Sequence, residues 1–167
     1  ALRRGTKHDF SALSVHGAYS MFASRSEGVA MRLGFTGTQM GMTQAQSLAV
    51  FDEVDALFPD EADHGLCIGA DKQFHEMLRG LSPSVYIVGH PPSNQSKMAD
   101  CDCDRLWLPK PYLDRNRDIV DASDRLLAAP QGPEEQRSGT WSTVRYARKR
   151  GKPITIVWPD GSVTREN

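Results

Sequence analysis

Gly139-Thr140-Trp141-Ser142-Thr143 opens an amphipathic run that a Gly-Lys-Pro stop separates from the apolar segment Ile154 to Trp158. Small residues at the start of a helix leave backbone N–H groups without partners, and these, with the helix dipole, attract a phosphate. Gly139 and Thr140 are therefore candidate phosphate binders, with Ser138 or Thr140 alternatively acting only as an N-cap. A second small-residue turn, Gly37-Thr38-Gln39, follows the strand-like Arg32 to Phe35. Its amides and hydroxyl could hold phosphate or ribose, and two such turns at parallel strand ends suggest a nucleotide cleft.

Side chains that could complete the chemistry lie elsewhere in the chain. Arg115 and Asn116, followed by Arg117, stand at a helix start, where a guanidinium can grip phosphate or ribose oxygens through two hydrogen bonds. Asp71, after Gly69-Ala70, could bind ribose hydroxyls or cap the helix behind it. Glu134 and Glu135, in a polar loop near the same strand ends, are candidate carboxylates for acid–base work, or simply solvated surface. His90, before Pro91-Pro92, could line the cleft, whereas His64 and His75 read as structural. Cys101-Asp102-Cys103 with His90 lacks the spacing of a common zinc site and has no second cysteine pair, so no metal or cofactor is expected. Arg145, Arg148, Lys149 and Arg150 near a helix C-terminus are what the dipole favours.

The elements that must place these groups alternate regularly. Strands are expected at Arg32 to Phe35, His64 to Gly69, Ser84 to Val88, Arg125 to Ala129 and Pro153 to Trp158. Helices are expected from Thr43 to Leu57, with Ala45, Leu48, Ala49, Phe51, Val54 and Leu57 at helical spacing, and at Asp71 to Leu81, Tyr112 to Ser123 and Thr140 to Arg150. The stretch from Pro91 to about Pro111 reads as a long loop. This alternation predicts a doubly wound α/β domain, a Rossmann-like parallel sheet in the order 3-2-1-4-5 with helices on both faces and a cleft where the order reverses.

At 167 residues the chain suits one core. Its net charge of −1 gives no general attraction to nucleic acid, so nucleic-acid binding is not expected. No apolar run is long enough to span a bilayer, and three cysteines do not suggest a disulfide framework, which together point to the cytoplasm. Residues 1–30 differ in composition and read as an N-terminal extension or docking arm, leaving 31–167 as the nucleotide-binding domain.

Gly34-Phe35-Thr36-Gly37-Thr38, His64-Gly65 with Gly69-Ala70-Asp71, Arg115 before Asp124, and Pro130 with Gly139-Thr140 resemble, in order and spacing, the SLOG superfamily of Rossmann-like nucleotide-binding domains. That superfamily holds the LOG (Lonely Guy) phosphoribohydrolases and the DNA-processing proteins, and the resemblance is strongest to its small stand-alone bacterial and phage branch. It implies a nucleotide or nucleotide-derived ligand, sensed or converted, and a homodimer, for which Trp107, Trp141 and Tyr146 offer aromatic surface. The LOG pattern Pro-Gly-Gly-x-Gly-Thr-x-x-Glu is interrupted here. Residues 133–138 are inserted, and Thr143 stands where the catalytic Glu is expected. Cleavage of an N-glycosidic bond would then need Arg115 to place the phosphate and Glu134 or Glu135 to replace the carboxylate.

Overall fold

A computed structural model describes residues 30–167, so the N-terminal arm lies, but for residue 30, outside the described residues. The strands β1 (Arg32–Gly37), β2 (Glu61–His64), β3 (Tyr86–Gly89), β4 (Arg105–Leu106), β5 (Arg125–Ala129), β6 (Ile154–Val157) and β7 (Val163–Glu166) form one sheet. Its order is β4-β3-β2-β1-β5-β6-β7. The five inner strands are parallel and follow the expected 3-2-1-4-5 order; β4 adds a parallel edge and β7 an antiparallel one. β1 pairs with β2 on one side and β5 on the other, so the strand order reverses at β1 and its C-terminal end is the switch point.

Helices α1 (Gln44–Leu57), α2 (Ala70–Leu81), α3 (Tyr112–Ala122) and α4 (Gly139–Lys149) cover both faces. The two-residue period of β5 divides the core. Leu127 and Ala129 join Leu33, Phe35, Val50, Val54, Phe74 and Leu78 under α1 and α2, whereas Leu126 and Ala128 join Val120, Trp141, Val144 and Ile156 under α3 and α4. Phe35 and Phe74 stack with ring centroids 4.1 Å apart.

Local signals explain the helix ends. Thr43 Oγ1 accepts from the Gln46 amide at 3.0 Å, and Phe58, in the left-handed region at φ 44°, closes α1 before Pro59. The buried face of α1 is Gln46, Val50 and Val54; Leu48 and Phe51 point outward, 61% and 40% exposed, contrary to the face expected from hydropathy. Gln46 is inside because its Nε2 donates to both Pro130 O (2.9 Å) and Val157 O (2.8 Å), tying β5 to β6.

The second strand is Glu61–His64, not His64 to Gly69. Its Asp63 and His64 are buried because they find partners, and the apolar Leu66-Cys67-Ile68 that follows turns away, Leu66 at φ 53°. The long loop after β3 carries a short 3-10 turn, Gln95–Lys97, and the edge strand β4. No helix among the described residues is long and apolar enough to cross a membrane.

Candidate functional site

The turn after β1 continues the sheet's hydrogen bonding before leaving it. The Thr38 amide donates to Ala129 O (3.0 Å), Thr38 O accepts from the Ala70 amide (2.9 Å), and Thr38 Oγ1 accepts from the Met40 amide (3.1 Å). Gly69, at φ 87°, lies where a Cβ would run into the Gln39 backbone, so the two turns meet only because this residue is glycine. Across the switch point, Ser138 caps α4, its Oγ accepting from the Trp141 amide at 3.3 Å. Among the described residues the Gly139 and Thr140 amides have no acceptor, so two donors remain open at the helix start.

Between these turns lies a cavity of about 810 Å³. Gly37, Thr38, Gln39, Glu135, Gly139 and Thr140, all anticipated from sequence, line it together. Arg137, Tyr112 and Gln131 also line it and were not anticipated. Arg137 sits at φ 63° and makes no ion pair among the described residues, which leaves a free cation beside the open amides. A second cavity of about 250 Å³ shares Gln39 and Tyr112 with the first, and there Lys97 Nζ donates to Gln39 Oε1 at 2.9 Å.

Arg115, Asn116 and Asp71 stand one layer behind this wall. Arg115 is 3% exposed, with Nη2 3.3 Å from Cys67 Sγ, Nη1 4.0 Å from Asp71 Oδ2, and a buried Nε without a hydrogen-bond partner. Its guanidinium lies 4.5 Å from the centroid of the Tyr112 ring, which screens it from the cavity. A Cβ on Gly139 would fall 2.5 Å from Tyr112 Cε1, so the same ring also packs on the start of α4. Asp71 does not act as an N-cap; its Oδ2 accepts from the Cys67 amide at 3.1 Å, and burial pushes its carboxyl up to about 6, opposed by Arg115. Asn116 Nδ2 donates to Gly139 O at 3.4 Å.

Glu134 points away from the cavity. Its carboxylate pairs with Arg148 (2.7 Å) and Arg145 (3.3 Å), which hold it below the usual carboxylate range. Arg145 also donates to Glu135 O at 3.2 Å, and Trp141 Nε1 donates to Gly132 O at 3.2 Å, so the inserted loop is tied to α4 at both ends. Thr143 is buried and donates to Gly139 O at 2.9 Å. Trp141 is 2% exposed and belongs to the core, which removes it as a subunit-contact residue. His90 does not line the cavity: its Nε2 lies 2.7 Å from Asp63 Oδ1 and its ring stacks on Trp107.

Comparison with solved structures shows where this fold recurs. The molybdenum cofactor binding protein of the phototrophic bacterium Rippkaea orientalis is similar with a TM-score of 0.61 and 19% identity, over 78% of this chain and 77% of that one. The molybdenum cofactor carrier protein of Chlamydomonas reinhardtii matches with a TM-score of 0.55 and 18% identity, over 77% and 76%. DNA processing protein A of Streptococcus pneumoniae matches with a TM-score of 0.56 and 14% identity, over 76% of this chain but 50% of that one. No protein-family model and no curated protein matches the chain. These likenesses show a Rossmann-like α/β fold, the fold class that the order of motifs implied.

Proposed function

We propose, with that fold as premise, that the chain binds a nucleotide or nucleotide-derived ligand in the cavity between the ends of β1 and β5. The observation that carries this reading is the convergence of the open Gly139 and Thr140 amides with the unpaired Arg137 on one wall of a cavity of about 810 Å³. A phosphate meets two N–H donors, a helix dipole and a cation there. The volume is within the usual range for small-molecule sites, so ribose and base have room toward Gln39 and Tyr112. Asp71, Arg115 and Asn116 shape the wall behind, and Arg115 reaches the ligand if Tyr112 turns aside.

Retention of the ligand without conversion fits the residues better than cleavage does. Thr143 is spent on a backbone hydrogen bond and Glu134 on two arginines, which leaves Glu135 as the carboxylate on the cavity wall. Two of the structural neighbours are named for binding or carrying a cofactor, and holding a ligand is the activity they share by name. We further propose a homodimer, with the exposed Leu48 and Phe51 of α1 as apolar surface for it, and a cytoplasmic setting for the three free thiols.

Isothermal calorimetry tests the binding reading. Adenosine and cytidine monophosphates or diphosphates are expected to bind and the parent nucleosides to bind far more weakly. Arg137→Ala should cost about 1.5–3 kcal/mol, the range for a hydrogen bond to a charged group. Equal affinity for nucleoside and nucleotide would refute the phosphate site.

A further inference from the structure

At the C-terminal end of β2, three potential ligand atoms from three separate segments converge: His64 Nε2 in β2, His75 Nδ1 in α2, and Cys103 Sγ in the loop before β4. They all lie within 4.8 Å of one another. We infer that His64, His75 and Cys103 form a binding site for a zinc-class transition-metal ion, with Asp102 as its positioning residue. His64 Nε2 is 3.1 Å from His75 Nδ1 and 3.9 Å from Cys103 Sγ. Around a tetrahedral zinc, with Zn–N about 2.0–2.1 Å and Zn–S about 2.3 Å, such pairs stand about 3.3 Å and about 3.6 Å apart. These two separations need to change by only a few tenths of an ångström, while His75 Nδ1 and Cys103 Sγ, within 4.8 Å of each other, settle to about 3.6 Å.

The surroundings match what a ligating histidine requires. His75 Nε2, the nitrogen not facing the cluster, is 2.7 Å from Asp102 Oδ1, and a carboxylate there fixes the tautomer that leaves Nδ1 free to ligate. Both imidazoles are buried, 0% and 3% exposed, so neither competes with bulk water for its orientation. Cys103 is only half-buried and the Asp102 side chain is 86% exposed, which provides an entry path from the surface. Two imidazoles and one thiolate suit zinc, cobalt or copper rather than magnesium or calcium, and leave a fourth position for water or another ligand. Cys101 and His90, the other residues weighed for a metal from sequence, are not in this cluster.

Binding calls for one local change. His64 Nδ1 accepts from the Leu66 amide at 3.2 Å, which places the imidazole proton on Nε2. A metal at Nε2 moves that proton to Nδ1, so the Gly65–Leu66 peptide must turn its carbonyl toward it. Gly65 O has no hydrogen-bond partner to lose among the described residues, and the turn carries Leu66 out of its positive φ of 53°.

The full chain, stripped with a chelator, is titrated with Co(II) and then with Zn(II). A stoichiometric thiolate-to-cobalt charge-transfer band with tetrahedral visible bands, bleached by zinc, is the expected result. Cys103→Ser should abolish the charge-transfer band. Asp102→Ala alters only an exposed side chain; it should retain the band while weakening zinc affinity by about 10–100-fold. Absence of the band in the unaltered chain overturns the site, as does its persistence in Cys103→Ser. Unchanged zinc affinity in Asp102→Ala, should Cys103→Ser fail to fold, overturns it too.

Discussion

Replacing Gly139 by alanine should change the sign of its effect according to what stands at position 112. Alanine at an unstrained helical position normally stabilises by about 0.4–1 kcal/mol, chiefly by restricting the unfolded chain. Gly139 is not at positive φ, so its backbone accepts alanine. Here, however, the added Cβ meets Tyr112 Cε1 at 2.5 Å and Oη at 2.8 Å, and the ring cannot swing away freely because it also packs on the Arg115 guanidinium at 4.5 Å. Either the site is overpacked, at about 1–3 kcal/mol, or the ring leaves and the cation–π contact is lost, at about 0.5–2 kcal/mol. Both costs exceed the helical gain at their midpoints, so Gly139→Ala should destabilise the protein by about 1 kcal/mol. In a Tyr112→Ala background the obstacle is gone, and the same substitution should stabilise by about 0.4–1 kcal/mol. Urea unfolding of the four proteins, compared at equal m-values, gives the coupling directly. If Gly139→Ala stabilises in the presence of Tyr112, or destabilises in its absence, the packing argument is wrong.

Two further outcomes follow from the same wall of residues. A Cβ on Gly65 would overlap Arg115 Nη1, so Gly65→Ala should displace the guanidinium from Asp71 and lower the urea midpoint by the equivalent of about 1–3 kcal/mol; an unchanged midpoint would show that Arg115 is free to move. Incubation with adenosine monophosphate should release little free base by chromatography, and any release should disappear in Glu135→Gln but not in Glu134→Gln, whose carboxylate is held by Arg145 and Arg148. Turnover that survives both substitutions would place the catalytic group elsewhere.

The legible parts of this sequence were those whose signals are local. The turns at Gly37 and Gly139, the Thr43 cap and the strand–helix alternation each depend on a few adjacent residues, and each fell where expected. β2 was misplaced because Glu61-Ala62-Asp63-His64 reads as surface. It is buried only because Asp63 meets His90 and His64 meets His75, residues 27 and 11 positions away. Gln46 is inside for the same kind of reason, through carbonyls 84 and 111 positions distant. Arg137 escaped notice because nothing in its neighbourhood announces a left-handed loop residue aimed at a cavity. Arg115 is expected from sequence to grip phosphate or ribose at the cleft, but the Tyr112 ring stands between it and the cavity, which is a matter of packing, not of motif.

The inserted loop has a consequence for salt dependence. Residues 131–138 form part of the cavity wall, and Glu134 fastens them to α4 through two arginines that are 36–40% exposed. Exposed pairs of this kind are worth little individually and weaken as salt rises. This part of the cavity wall is thus held in part by surface charge and not by core packing alone. Under the binding reading proposed above, ionic strength would act on an occupant through the loop as well as through the phosphate contact itself.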